Sequence, residues 1–165
     1  MPEIIFDNCV LSNFALSDSL SIPKKMYSNI AYITDFVSAE NMRGIMQGHG
    51  KLAGIRQAVL DGWLKEITLS NKEKAVFEVL SISLGFGESS SIAVAKLRGL
   101  VFACDDRVAR REASLLGVKL TGTIGILIKS KEMGIINHKE ADKVLHKMVG
   151  YRFYSPITSI KDIAK

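Results

Sequence analysis

Short apolar runs alternate along this chain with longer segments in which apolar residues recur every three or four positions. The short runs are typical of buried strands, and the longer segments are typical of helices with one face in a core. Strands are predicted at five places: residues 3–7, 30–33, 64–69, 100–104 and 118–121. The run at 64–69 alternates apolar and polar side chains, which favours an edge strand with one solvent-facing side.

Segments with helical spacing connect these strands. Helices are predicted over residues 10–15, 36–40, 55–60, 75–84, 88–98, 106–116, 123–133 and 138–148. The glycine-rich segment from Gly44 to Gly54 lacks the phosphate-loop pattern, so we interpret it as a mobile loop. Strands that alternate with such helices predict a parallel sheet covered on both faces. The expected fold is therefore α/β, a three-layer α/β/α sandwich with a mostly parallel central sheet of four or five strands, in one domain over residues 1–165.

Acidic residues stand where several of these strands give way to a helix or a loop. Asp7 follows the first strand, and the pair Asp105 and Asp106 follows the fourth. Glu88 begins a helix after Gly-Phe-Gly, and Glu40 lies on the helix after the second strand. Ligands of open α/β sheets bind at the carboxyl ends of the strands, so we expect these carboxylates to meet at one edge. Such a cluster repels itself unless a cation holds it, and oxygen ligands suit Mg²⁺ or Mn²⁺.

Each of these acids also has a simpler interpretation. Asp7 and one member of the Asp105–Asp106 pair are suited to capping the helices that follow them. Glu88 would be stabilised by the helix dipole whether or not it takes part in chemistry, and Glu40 could be an ordinary helix-surface residue. The group is more informative than its members, because carboxylates around a divalent ion can activate water for attack on a phosphate. The sequence therefore predicts a metal-dependent enzyme that acts on phosphates.

Basic residues flank the predicted acidic cluster in a chain with a formal net charge of +5. A positive balance favours polyanionic partners, but only weakly. Arg107, Arg110 and Arg111 share one side of a predicted helix, which fits either a solvated face or a phosphate-binding rim. Under the second interpretation, the candidate contacts to an RNA backbone are Lys96, Arg107 and Arg110.

The remaining reactive side chains are less informative. Cys9 and Cys104 are interpreted as buried, reduced core thiols, and zinc or secretion-type disulfide sites are not expected because CxxC and Cys/His clusters are missing. His49, His138 and His146 are expected at the surface. No apolar stretch reaches the roughly 18 residues of a membrane span, and no signal peptide is recognised. A cytoplasmic protein without membrane contact is expected.

Several ordered motifs make this chain similar to a known family. They are Asp7-Asn8 with Val10-Leu11, the run from Gly87 to Ala93, and the run from Asp105 to Arg110, together with residues 117–127 and 131–136. This set resembles the PIN domain, and more narrowly its DUF3368-type branch of small prokaryotic proteins. The resemblance covers nearly the whole chain, and the order of the motifs is more specific than any one of them.

The resemblance implies a Mg²⁺- or Mn²⁺-dependent ribonuclease that cleaves single-stranded RNA, commonly the VapC-type toxin of a toxin–antitoxin pair. It implies metal ligands at Asp7, Glu40, Glu88, Asp105 and Asp106. Of these, Asp7, Glu88, Asp105 and Asp106 are the expected catalytic residues. Asn8 stands where many relatives have Ser or Thr. It is expected to stabilise the metal ligands through a hydrogen bond without binding the metal itself. The implied partners are RNA, a cognate antitoxin and a second copy of the chain, with an expected dimer face at Val10, Leu11, Phe14, Leu16 and Tyr27.

Two other functions stay open at this point. A PIN-like domain without activity would be an interaction module. This alternative stays open because the segment from Met42 to Trp63 matches the family poorly, which leaves the place of Glu40 in the site unsettled. A receiver-type or haloacid-type phosphotransfer domain would also gather acids at strand ends. Asp7-Asn8-Cys9 lacks the second aspartate of the haloacid motif, and the Asp105–Asp106 pair closes a later strand than a receiver uses.

Overall fold

A parallel sheet of five strands forms the centre of the computed structural model, which describes residues 1–162. The strands are Ile4–Phe6 (β1), Ala31–Thr34 (β2), Leu64–Ile67 (β3), Val101–Ala103 (β4) and Leu120–Thr121 (β5). Their order is β3-β2-β1-β4-β5, and each neighbouring pair is parallel. The predicted parallel sheet is confirmed, and β3 lies at an edge as the alternating pattern of residues 64–69 indicated.

Helices connect successive strands and cover the sheet. They are Asn8–Leu16 (α1), Ser21–Tyr27 (α2), Asp35–Met46 (α3), Ala53–Leu60 (α4), Asn71–Leu80 (α5), Phe86–Arg98 (α6), Arg107–Leu115 (α7), Thr123–Glu132 (α8) and His138–Gly150 (α9). Their ends follow ordinary capping chemistry: the Thr34 hydroxyl accepts from the Val37 N–H at the start of α3, and Gly99 ends α6 with a φ of 70°. Within residues 1–162, no helix has the length and apolarity that crossing a membrane requires.

The sheet separates two apolar cores. Ile4 and Phe6 of β1 pack into one core while Ile5 between them packs into the other, because successive side chains of a strand point to opposite faces. The first core is completed by side chains of α1, α2, α3, α4, α8 and α9, and the second by side chains of α5, α6 and α7. The predicted three-layer α/β/α architecture is therefore confirmed.

The segment from Gly44 to Gly54 is mostly helical, so its prediction as a mobile loop was wrong. α3 continues into it, a short 3-10 helix follows, and α4 begins before it ends. A Cβ at Gly44 would lie 2.7 Å from Leu52 Cδ1, and one at Gly54 would lie 3.0 Å from Leu20 Cδ1. These two glycines allow neighbouring segments to pack closely, which sequence composition does not distinguish from a flexible loop.

The apolar side chains that we expected at a dimer face lie inside the molecule. Val10, Leu11 and Phe14 are fully buried, and Tyr27 is 5% exposed. Leu16 packs partly buried against the same core. This face of α1 therefore covers the sheet, and its prediction as an interface between two copies was wrong.

Candidate active site

The central strand of the sheet delivers the first acid. The Asp7 N–H donates to the Ala103 carbonyl oxygen at 2.9 Å, which places Asp7 where the strand order reverses between β1 and β4. In open α/β sheets, ligands bind in the crevice at this position. Asp7 is 2% exposed and occupies the N-cap position of α1, but its side chain makes no capping hydrogen bond. Helix capping therefore does not explain this buried carboxylate.

Two glutamates come from α3 and α6. Glu40 lies on α3, and its Oε1 accepts a hydrogen bond from the Gly87 N–H at 3.1 Å. Glu88 is the next residue in the first turn of α6, so the two glutamates lie beside each other. The hydroxyls of Thr34 and Ser90 are 2.8 Å apart and fix the start of α3 against α6. The structure thus brings Glu40, whose place in the site the sequence left unsettled, next to Glu88.

The adjacent residues Asp105 and Asp106 face two different helices. Asp106 caps α7, where its Oδ2 accepts from the Ala109 N–H at 2.9 Å. Asp105 accepts at Oδ1 from the Thr123 N–H at 2.9 Å, and at Oδ2 from the Thr123 hydroxyl at 2.6 Å and from Asn13 Nδ2 at 3.2 Å. Each carboxylate is therefore stabilised at the positive end of a separate helix, which offsets the repulsion between neighbours.

Burial and neighbouring carboxylates raise the pKa values of Asp7 and Glu88. Burial, followed by the charges of Glu88 and Glu40, raises the pKa of Asp7 to about 7. Burial, followed by the charges of Asp106 and Glu40, raises the pKa of Glu88. Within residues 1–162, none of these four acids forms an ion pair with a lysine or an arginine. The four carboxylates therefore repel one another without a protein cation to compensate, and a divalent cation would relieve that repulsion.

The donor set fits a hard divalent ion. Carboxylate oxygens are the ligands that Mg²⁺ and Mn²⁺ favour in proteins. In the described part of the chain, no three Asp, Glu, His or Cys side chains lie close enough to enclose an ion by themselves. Mg²⁺ usually keeps several waters and uses one or two carboxylates, so an open cluster suits it. Asn8 Oδ1, next to Asp7, is buried with no donor among residues 1–162, and a water held at the site would satisfy it.

The three residues that were predicted to contact RNA lie in three different environments. Lys96 lies in the last turn of α6, at the opposite end of that helix from Glu88, and its Nζ donates to the Leu116 carbonyl oxygen at 2.7 Å. The Arg110 guanidinium is half-buried and donates to carbonyl oxygens at the ends of β4 and β5, at 2.7 and 2.9 Å. Arg107, at the start of α7, is exposed. The structure thus brings only Arg107 to the surface beside the acids.

The cysteines and histidines add no ligands to this group. Cys104 is buried as expected, but Cys9 is exposed on α1, so its prediction as a core thiol was wrong. His138 lies near the start of α9, with its Nε2 3.4 Å from Asp142 Oδ2. His49 and His146 are exposed. The candidate site is therefore built from oxygen ligands.

Two glycines hold acids in place, and sequence reasoning did not recognise this role. A Cβ on Gly87 would lie 2.5 Å from Glu40 Oε1, and a Cβ on Gly122 would lie 2.6 Å from Asp105 Oδ1. Gly87 is the second residue of α6 and Gly122 directly precedes α8, and both helices begin at the carboxyl edge of the sheet. A glycine at such a helix start is the available sequence signal, since it exposes a backbone N–H that can approach a carboxylate closely.

The fold is similar to that of two solved structures. One is VapBC2 from Rickettsia felis bound to a DNA fragment from their promoter, with 15% identity, a TM-score of 0.52, and coverage of 72% of this chain and 97% of that chain. Another is PAE2754 from Pyrobaculum aerophilum, with 16% identity, a TM-score of 0.54, and coverage of 79% and 98%. At these identities the likeness shows the fold alone.

Sequence comparison gives the family. No curated protein matches the chain significantly. A family model described as DUF3368, a PIN domain, matches residues 3–165, a stretch that includes all five acids of the site. The resemblance drawn from the ordered motifs is confirmed, and this chain belongs to the DUF3368 family of PIN domains.

Proposed function

We propose that this protein is a metal-dependent endoribonuclease that hydrolyses phosphodiester bonds of single-stranded RNA with Mg²⁺ or Mn²⁺. The observation that supports this proposal is the convergence of Asp7, Glu40, Glu88 and Asp106 at one sheet edge, without a cationic partner in the described part of the chain. Membership of the PIN family favours a nuclease over a phosphotransfer domain.

The proposed ligands are Asp7, Glu88 and Asp106. A bound divalent ion lowers the pKa of water and neutralises charge on the scissile phosphate. Glu40, which accepts a hydrogen bond from the Gly87 N–H, is proposed to orient the attacking water and to accept its proton. Both oxygens of Asp105 already accept hydrogen bonds, so its proposed contribution is to hold the start of α8 beside the site.

Arg107 is the proposed contact to the RNA backbone. Its exposed guanidinium lies one residue from Asp106, so it can bind a phosphate next to the scissile one. Lys96 is not included, because its ammonium donates to a carbonyl oxygen at the other end of α6. Arg110 is proposed to act indirectly, by joining the ends of β4 and β5.

The direct test is incubation with structured and unstructured RNA, with and without Mn²⁺, beside an Asp106→Asn control. Asparagine is also a good N-cap, so this variant should keep α7 folded while it removes the charge. We expect the wild type to cleave unstructured RNA only with Mn²⁺ and the variant to be at least about 100-fold slower. Equal cleavage by both proteins would indicate a contaminating nuclease. No cleavage by either protein would favour the inactive interaction module.

Metal binding has a separate readout in thermal stability. We expect Mn²⁺ to raise the melting temperature of the wild type, because a ligand that binds only the folded state stabilises it. Asp7→Asn should reduce this shift, and Arg111→Ala, an exposed change on α7, should leave it unchanged. A wild type that Mn²⁺ does not stabilise, together with an Asp7→Asn variant that behaves identically, would show that the metal site is wrong.

We further propose that the protein is the toxin of a toxin–antitoxin pair. The similar Rickettsia felis structure is of VapBC2 bound to a DNA fragment from their promoter, which supports a partner protein for this chain as well. A small reading frame just upstream of the gene, whose product relieves growth arrest on co-expression, is the expected result. Growth arrest that the product does not relieve would argue for a solitary enzyme.

We also propose that the protein forms a homodimer, through a surface other than the buried face of α1. Val79, Ile82 and Phe86 are 68%, 86% and 59% exposed at the end of α5 and the start of α6. Exposed apolar groups of this kind favour an interface. Light scattering should give a dimer mass for the wild type and a monomer mass for Ile82→Asp. Identical masses would exclude this surface.

A further inference from the structure

A groove of about 480 Å³ lies between the acidic edge and the last part of the described chain. Its lining includes Asp105, Arg107 and Gly122 on one side, and Phe153, Tyr154 and Pro156 on the other. Because Asp105 also belongs to the acidic group, the groove opens directly beside the candidate active site. Nothing in the proposed hydrolysis of the scissile phosphate itself uses this space.

The segment that forms the far wall is anchored at both ends. The chain turns out of α9 at Arg152, which has a φ of 71°, and the Phe153 N–H then donates to the Met148 carbonyl oxygen at 3.0 Å. Further on, the Ile160 N–H donates to Asp142 Oδ1 at 2.8 Å, and Ile160 is fully buried. The wall of the groove is therefore part of the folded structure.

Tyr154 is the unusual residue of this anchored wall. Its side chain is 89% exposed, whereas the neighbouring Phe153 packs against the main core. Folding gains little free energy from an aromatic ring that stays in water. Packing therefore does not explain why an aromatic residue stands at position 154. Across the groove, Arg107 supplies an exposed guanidinium. An aromatic ring with a cationic group beside it is the combination that binds single-stranded nucleic acid, where bases stack and phosphates pair with arginine.

We propose that this groove is a nucleobase subsite, in which one base of single-stranded RNA stacks on Tyr154 while Arg107 binds an adjoining phosphate. The inference rests on the proposed ribonuclease function and adds where the substrate strand runs: from the acids, past Arg107, to Tyr154. Stacking needs a splayed base, so the subsite accepts unpaired RNA and rejects a duplex. It also accepts each of the four bases, because every base has a π-face.

The test uses a short unstructured RNA that carries the fluorescent base 2-aminopurine and the full-length protein without metal, so that binding is measured in the absence of cleavage. We expect the wild type to quench the fluorescence as the base stacks. Tyr154→Ala should lose the quench and bind roughly 5- to 150-fold more weakly, and Tyr154→Phe should behave like the wild type. Tyr151→Ala is the matched control, because Tyr151 is also an exposed tyrosine but contacts Lys51 instead of the groove.

A parallel cleavage assay with Mn²⁺ separates failure of the subsite from failure of the proposed function. If the wild type cleaves and Tyr154→Ala shows the same quench, affinity and KM, the subsite is wrong while the nuclease stands. If the wild type neither cleaves nor binds the RNA, the nuclease is wrong and the subsite falls with it. If a peptide binds in the groove and RNA does not displace it, the subsite is also wrong.

Discussion

Glu40 Oε1 accepts a hydrogen bond from the Gly87 N–H at 3.1 Å, and the Glu40 carboxylate fills the space where a side chain at position 87 would begin. A Cβ there would lie 2.5 Å from Oε1 and 2.8 Å from Oε2. The carboxylate is the far end of a flexible side chain, so it can be displaced without moving the backbone. Gly87 therefore determines where the Glu40 charge lies.

Gly87→Ala is expected to displace Glu40 from the site while the protein stays folded. Alanine is the better helix former, so the free energy of unfolding should change by no more than about 1 kcal/mol. Cleavage with Mn²⁺ should fall as far as in Glu40→Gln, and combining the two changes should add little, because they remove the same interaction. Gly85→Ala is the control, since a Cβ there meets open space. Full activity in Gly87→Ala would remove Glu40 from the proposed mechanism.

The raised pKa of Asp7 predicts an unusual pH dependence of stability without metal. The unfolded chain loses this proton near 3.8, but the folded protein holds it to about 7, so ionisation opposes folding as the pH rises between these values. The loss is on the order of 4 kcal/mol. Asp7→Asn should therefore raise the free energy of unfolding at about pH 8 and have little effect at about pH 4, measured by urea denaturation in EDTA.

The exposed residue Asp61 gives a control for that experiment, and Asp61→Asn should follow the wild type at each pH. Mn²⁺ should reverse the order near pH 8, where the ion stabilises the wild type more than it stabilises Asp7→Asn. An Asp7→Asn variant that is less stable than the wild type at pH 8 in EDTA would show that the Asp7 carboxylate is not electrostatically strained.

Thr123 is expected to set the position of Asp105. Its buried hydroxyl donates to Asp105 Oδ2 at 2.6 Å, and Thr123→Val removes this donor while it keeps the shape of the side chain. Leaving a carboxylate oxygen with one donor fewer should cost about 1–3 kcal/mol of unfolding free energy. Thr123→Ser keeps the hydroxyl and should lose less than Thr123→Val. Equal losses would mean that packing of the methyl group, and not the hydrogen bond, explains the effect.

The ion pair between Arg98 and Glu73 is expected to contribute to stability and not to activity. Arg98 donates to both carboxylate oxygens of Glu73 at 2.8 Å, and the Glu73 side chain is 2% exposed. Arg98→Ala would leave a buried carboxylate uncompensated, but solvent reaches the arginine, so we expect a loss of about 2 kcal/mol. Arg98→Lys should restore only part of it, because one ammonium cannot make the bidentate contact.

This pair also predicts a pH dependence of the opposite sign to that of Asp7. Its hydrogen bond with Arg98 holds the pKa of Glu73 below the ordinary value of 4.5. The stability that it contributes is therefore present at neutral pH and is lost in acid, as the pH falls through the lowered pKa. Denaturation curves of Arg98→Ala and the wild type should converge in acid, once the pH has fallen below the lowered pKa of Glu73, while cleavage by the two proteins at neutral pH stays the same.

Much of the fold was predictable because each strand has a local signal. The runs at Ile4–Phe6 and Val101–Ala103 are largely buried, which makes them continuously apolar, and an acid follows each of them within two residues. Periodicity also predicted most of the helices between them. It failed at Gly44–Gly54, where two of the glycines allow close contacts with the side chains of Leu52 and Leu20. Composition reports such a contact and a flexible turn in the same way.

The acids of the candidate site could be predicted from the sequence, but the residues that hold them in position could not. Strand ends locate Asp7 and the Asp105–Asp106 pair, because the carboxyl ends of parallel strands share an edge. Which of two neighbouring carboxylates faces the site depends on hydrogen bonds from other elements, such as that from Thr123 to Asp105. The direction of a basic side chain is equally non-local: Lys96 precedes the Asp pair in sequence but lies at the far end of its helix.

The pairing of β1 with β4 has a consequence for biosynthesis. Asp7 and Cys104 are in contact although 97 positions separate them. The chain between them first forms β2 and β3, which lie on the other side of β1 from β4. Pairings of this span form slowly and only after the intervening chain exists. A growing polypeptide therefore cannot assemble the candidate site until β4 and the Asp105–Asp106 pair that follows it have emerged from the ribosome.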